Sequence, residues 1–124
     1  MPRILVVDDE PLISMLIEDW LTELGCEVVG PACSIEDGLD LAGTAGLDGA
    51  ILDVKLGDRS YPVANALRAR GVPFAFATGD STIRDAPEFK DPLLLAKPFD
   101  FEGVKAVVDK LLERPADPAG THAA

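Results

Sequence analysis

Histidine is almost absent from this chain, which has one, and cysteine is scarce, with two. So few soft ligands exclude a zinc centre built from clustered cysteine and histidine, and also a scaffold stapled by disulfides. Cys26 and Cys33 lie on either side of the apolar segment EVVGPA, which should hold them apart as reduced thiols in or near the core. The histidine, His122, falls in a C-terminal tail with no apolar periodicity, so no ligand or catalytic role is expected of it. No apolar run approaches the roughly eighteen residues of a membrane span, and the start, MPRILVVDDE, has acids where a signal peptide carries its apolar stretch. A cytoplasmic protein without a membrane partner is expected. Positive charge is short as well: 11 Lys and Arg face 22 Asp and Glu, for a net charge of -11. Such a surface repels phosphate backbones, which argues against nucleic acid as a direct partner and in favour of cations and basic protein surfaces.

What is present is a globular composition. Hydrophobic residues make up 48% of the 124-residue chain and charged residues 27%, enough for one domain to bury a core unaided. RILVVD (3–8) is a continuous apolar run ending in acids, the pattern of a strand buried on both faces of a parallel sheet. Pro11 suits a first helical turn. From there Leu12, Ile13, Leu16, Ile17, Trp20, Leu21 and Leu24 recur at three- and four-residue spacing, predicting a helix that ends at Gly25. EVVGPA (27–32) reads as a second strand, with Ser34 capping a helix over IEDGLDLAGTAG that turns Leu39 and Leu41 inward. GAILDV (49–54), PFAFAT (73–78) and LLLAK (93–97) read as further strands, and SYPVANALRARG (60–71) as a helix. The last helix is predicted from about Phe101 to Glu113, with Phe101, Val104, Val108, Leu111 and Leu112 buried. RPADPAGTHAA (114–124) is expected to be a disordered tail, leaving 1–113 as the folded domain.

Strands alternating with helices predict an α/β fold, a doubly wound parallel sheet with helices on both faces, whose ligands bind beyond the carboxyl ends of the strands. The residues at those ends are Asp8 and Asp9, then Asp53, Thr78, and Lys97 with Pro98. Taken singly, each has an ordinary explanation as a helix-terminal acid, a turn residue or a solvated lysine. Together they are harder to dismiss, because carboxylates gathered at buried strand ends repel one another. A hard cation such as Mg2+ relieves that repulsion while leaving room for phosphate oxygens. Asp53 can then act as a nucleophile toward a phosphoryl group, with Thr78 and Lys97 binding the oxygens on which charge accumulates.

At this point the chain resembles the response regulator receiver family over about residues 3–113. The motifs that carry the resemblance are VVDDEP (6–11), LDVKLGD (52–58), FATGD (76–80) and KPF (97–99), each at the end of its own strand. The resemblance implies a five-stranded flavodoxin-like sheet of order 2-1-3-4-5. It further implies Mg2+ held by Asp8, Asp9, Asp53 and the Lys55 backbone carbonyl, phosphorylation of Asp53 by a histidine kinase or histidine phosphotransfer protein, Thr78 as the switch hydroxyl and Lys97 as the phosphate-sensing ammonium. Lys97-Pro98 is usually a cis peptide in this family. A monomer that assists only its own phosphorylation and dephosphorylation is implied, rather than an enzyme acting on an external substrate. Its output would be a downstream protein target or the passing of phosphate along a relay.

VPFAFATGD is similar to the stand-alone receiver subgroup nicknamed FAT GUY, although Asp80 stands where that subgroup carries an aromatic. Leu94 occupies the place of the aromatic switch partner of ordinary receivers, so the usual threonine–aromatic coupling is not expected to operate. Phe74, Phe76, Phe99 and Phe101 are expected in the core, with an aromatic relay as the alternative. GDSTIRDAPEFKDP (79–92) carries too thin an apolar stripe for a stable helix. Lys55 and Asp80, each two residues beyond a site residue, are candidates for a lid that modulates the phosphate's lifetime. Two rival functions remain open. One is an aspartyl phosphatase of the haloacid dehalogenase type, whose first-strand Asp-x-Asp is here an adjacent Asp8-Asp9 pair; the other is a vestigial receiver that serves as a binding module.

Overall fold

The computed structural model describes residues 2–53, 55–56, 58–59, 61–78, 93–96 and 100–113. In chain order its elements are β1 (Arg3–Val7), α1 (Pro11–Glu23), β2 (Glu27–Ala32), α2 (Ile35–Ala42), β3 (Gly49–Asp53), β4 (Lys55–Leu56), β5 (Asp58–Arg59), α3 (Tyr61–Ala69), β6 (Phe74–Thr78), β7 (Leu93–Ala96) and α4 (Phe101–Glu113). Five strands form one parallel sheet in the order β2-β1-β3-β6-β7, which is the expected 2-1-3-4-5 order counted over the sheet's own strands. The two-residue strands β4 and β5 pair antiparallel with each other, a feature no apolar pattern announces.

The period of two along each strand distributes side chains to two cores. Leu5, Val7, Leu52 and Phe76 turn toward Val63 and Leu67 of α3 on one face. Ile4, Val6, Ile51 and Ala75 turn toward Ile17 and Leu21 of α1 and Val104 and Leu111 of α4 on the other. Because both faces are covered, β1 and β3 read as unbroken apolar runs rather than alternating ones.

Pro11 begins α1 and Gly25 ends it. Gly25 takes a left-handed φ of 83°, so that Cys26 N–H reaches Leu21 O at 2.9 Å and Gly25 N–H reaches Thr22 O at 3.0 Å, the paired bonds that close a helix C-terminus. Ser34 caps α2 as expected, its hydroxyl accepting the Asp37 N–H at 3.1 Å. That helix stops at Ala42 rather than running on to Gly46, because Gly43 and Thr44 N–H turn back to Asp40 and Leu41 O instead.

Several inward assignments are corrected. Leu12, Leu16, Leu39 and Leu112 are exposed, and the buried positions of these helices are Ser14, Ile17 and Leu21 in α1, Gly38 and Ala42 in α2, and Val107 beside Val108 in α4. Cys26 is buried as expected, whereas Cys33 is exposed. Phe74 and Phe76 pack edge to face with centroids 5.5 Å apart, and Tyr61 stands edge-on to Phe76 at 5.8 Å, as core packing requires. The segment 79–92, Lys97, Pro98, Phe99 and the tail 114–124 lie outside the described residues.

Candidate functional site

Parallel register places the site. β1 and β3 are neighbours with Val7 opposite Leu52, so the next residue on each strand is an aspartate, Asp8 and Asp53, at the carboxyl edge of the sheet. Asp53 ends β3 and is 6% exposed; Asp8 follows β1 and is 1% exposed. Asp8 is anchored through its backbone, whose N–H donates to Ala32 O at 2.9 Å. That bond rests on an irregularity in β2. Between the pairs Leu5–Val29 and Val7–Ala32 the register shifts by one residue, at Gly30 and Pro31, where the peptide is cis and Gly30 has a φ of 97°.

Asp8 Oδ1 accepts the backbone N–H of Glu10 at 2.9 Å, closing the turn that leads into α1. Glu10 is the extended residue before the helix, and its side chain does not cap it. The outcome is that one carboxylate oxygen from each of Asp8, Glu10 and Asp53 lies within 4.8 Å of the others. Charged oxygens this close, two of them on buried residues, repel one another, and a cation between them would relieve that repulsion. Three hard oxygen donors on one side, open to solvent through Glu10, suit Mg2+, which keeps several waters and takes few protein ligands.

The sequence placed Asp8, Asp9 and Asp53 together. The structure brings Asp8 and Asp53 together with Glu10, and leaves Asp9 exposed on the turn, outside that set of three. The physical reason is the Asp8–Glu10 hydrogen bond, which bends the chain so that the second residue after Asp8 faces the site. An acid directly before a helix-starting proline was the available signal. Lys55 follows the site in β4, where its backbone pairs with Arg59. Thr78 ends β6 and pairs with Ala96, the residue before Lys97, so the ends that carry these two residues are neighbours in the sheet. Leu94 pairs with Phe76. The side chains of Lys55, Thr78 and Leu94, together with Asp80, Lys97 and Pro98, lie outside the described residues.

Among the described residues no helix is long and apolar enough to cross a membrane. Comparison with known proteins agrees with the topology. The phyllosphere-induced regulator PhyR of Methylorubrum extorquens is 34% identical over 115 residues, 89% of this chain and 43% of that protein. The chain spans about half the length of the curated relatives it matches. The solution structure of SdrG from Sphingomonas melonis Fr1 is 44% identical with a TM-score of 0.78, covering 90% of this chain and 97% of that one. TrrA from Thermotoga maritima, solved in complex with Mg(2+)-BeF, is 34% identical with a TM-score of 0.76, covering 90% of this chain and 100% of that one. The family model of the response regulator receiver domain matches residues 4–109, and this chain belongs to that family.

Proposed function

We propose that the chain is a response regulator receiver of the stand-alone FAT GUY type, which takes a phosphoryl group onto Asp53 in a Mg2+-dependent reaction and signals by changing shape. The observation that carries this is the convergence of Asp8, Glu10 and Asp53 at the carboxyl edge of a parallel sheet, with their oxygens within 4.8 Å. Asp8, Asp53 and the acids of the Asp9–Glu10 turn hold the ion, together with the Lys55 carbonyl. Bound Mg2+ supplies positive charge against the phosphoryl oxygens. An Asp53 carboxylate oxygen attacks phosphorus; the P–N bond of a phosphohistidine breaks as the new P–O bond forms, and the departing imidazole nitrogen takes up a proton. Thr78 and Lys97 bind the transferred group. The donor is a histidine kinase or phosphotransfer protein, the output is a protein target or onward relay, and no external substrate is turned over. SdrG-like similarity together with FATGD supports the subgroup.

The experiment is incubation with acetyl phosphate and Mg2+ followed by phosphate-affinity electrophoresis. The parent protein shifts and Asp53→Asn does not; an equal shift for both moves the acceptor elsewhere. Turnover of p-nitrophenyl phosphate at enzymatic rates would instead favour the phosphatase alternative. The lid role of Lys55 and Asp80 is tested by the dephosphorylation rate of Asp80→Ala, which rises if the pair limits access of water.

A further inference from the structure

The inward stripe of α1 is Ser14, Ile17 and Leu21, all buried, and its first member is a serine where the other two are large aliphatics. A hydroxyl is costly to bury unless it is hydrogen-bonded. A helical serine normally satisfies itself on the carbonyl four residues earlier. Here Ser14 differs: its backbone N–H takes Glu10 O at 2.9 Å, and its hydroxyl reaches beyond the helix to donate to Asp8 O at 3.2 Å. Asp8 is therefore held at three points. Ala32 of β2 accepts its N–H, Ser14 of α1 donates to its carbonyl, and Glu10 N–H donates to its carboxylate.

We propose that Ser14 is a positioning residue for the cation site. By fixing the Asp8 carbonyl to the first turn of α1 it sets the separation between the end of β1 and the start of α1. That separation decides whether the carboxylates of Asp8 and Glu10 converge on Asp53. Ser14 touches neither the ion nor the phosphoryl group; it acts through Asp8, as groups behind metal ligands do. The inference rests on the acid cluster being the Mg2+ site, and its test separates the two failures.

Mg2+ alone is titrated by calorimetry into the parent chain, Ser14→Ala, Ser14→Thr, Ile17→Val and Asp8→Asn. Losing one hydrogen bond behind the ligand should weaken Mg2+ binding by about three- to tenfold in Ser14→Ala. Ser14→Thr keeps the hydroxyl and should retain the parent affinity within about twofold. Ile17→Val loosens the same stripe without touching Asp8 and should leave affinity unchanged. In acetyl phosphate assays the Ser14→Ala defect should appear as a higher Mg2+ requirement, with the parent rate regained at saturating Mg2+. Parent-like affinity in Ser14→Ala, or an equal loss in Ile17→Val, overturns the positioning role. Parent-like affinity in Asp8→Asn overturns the cation site itself.

Discussion

Glu10 donates its backbone N–H to the carboxylate of Asp8 at 2.9 Å, so the residue that precedes α1 also fixes the most buried acid of the site. This bond needs an oxygen acceptor but not a negative charge, which makes asparagine the informative replacement at position 8. At an effective dielectric near 20, two unit charges at the 4.8 Å upper limit of the cluster's oxygen separations repel by about 3.5 kcal/mol. Partial screening by water lowers the net gain on removing one of them to about 1 kcal/mol. Asp8→Asn is therefore expected to melt roughly 4 °C above the parent in EDTA. The parent should gain stability as Mg2+ is added, by about 2.7 kcal/mol at a hundredfold excess over Kd, while the variant gains little. A lower melting point for the variant in EDTA would show the acids to be hydrogen-bonded turn residues rather than a strained site.

Two glycines determine how closely the backbone can pack around that site. At Gly38 an added Cβ would lie 3.1 Å from a Val63 methyl and 3.3 Å from a Val7 methyl, so α2 approaches α3 and β1 only because no side chain intervenes. Gly38→Leu should cost about 1–3 kcal/mol by overpacking, measured by urea unfolding. At Gly30 the conflict is with backbone, 2.8 Å to Ala32 N and 3.0 Å to Val6 O, at a φ of 97° that side chains disfavour. Gly30→Ala should destabilise at least as much. It should also weaken Mg2+ binding, because the displaced Ala32 carbonyl is the acceptor of Asp8 N–H; a parent-like Mg2+ titration would separate the β2 irregularity from the site.

The parts of this molecule legible in sequence are those that short-range pattern determines. The apolar runs at 3–8 and 49–54 announce buried strands, and their terminal acids announce Asp8 and Asp53, because a parallel sheet aligns strand ends whatever the details of the turns. Which leucines of α1 face inward was not legible. Leu12, Met15 and Leu16 satisfy helical spacing as well as Ile17 and Leu21 do, and only the rotation set by Pro11 and the Ser14–Asp8 bond chooses between them. Glu10 escaped for a similar reason, since its place at the site comes from a hydrogen bond to Asp8 Oδ1, which composition does not encode. Val107 and Leu112 exchanged roles because the rotation of α4 is set by packing in the core that it shares with Ile17 and Leu21 of α1, which its own apolar spacing does not encode.

The two cysteines bracket β2 yet differ in environment. Cys33 is exposed, whereas burial raises the Cys26 thiol above its ordinary value of 9.0. At pH 8 a thiol reagent should titrate one group quickly, lost in Cys33→Ser, and the second only on unfolding. The sign of the linkage follows from the raised value. Folded Cys26 keeps its proton where the unfolded thiol loses it, so its contribution to stability is full below about pH 9 and declines as pH rises through the folded value. Cys26→Ala should show a shallower alkaline loss of stability than the parent; an identical slope would assign that loss to other groups.

The exposed side of α1 gives the last prediction. Leu12 is 76% exposed, Met15 57% and Leu16 44%, three large apolar side chains at positions i, i+3 and i+4 on the first turns of the helix that follows Asp8 and Glu10. Leu12 and Met15 lie mostly in water in the folded chain, so Leu12→Gln and Met15→Gln should each leave the melting temperature within about 2 °C of the parent. On the proposed function a phosphodonor protein brings its histidine to Asp53, and this strip, close in sequence to Asp8 and Glu10 and on a helix that carries acids, suits an apolar helix face flanked by basic residues. Truncating the centre of such a contact costs roughly 1–2 kcal/mol. Phosphoryl acceptance from a phosphorylated histidine kinase or phosphotransfer protein should therefore slow by about tenfold in Met15→Gln, while acceptance from acetyl phosphate, which needs no docking surface, stays at the parent rate. Equal slowing with both donors would place the defect at the site, and no slowing with either would remove α1 from the docking surface.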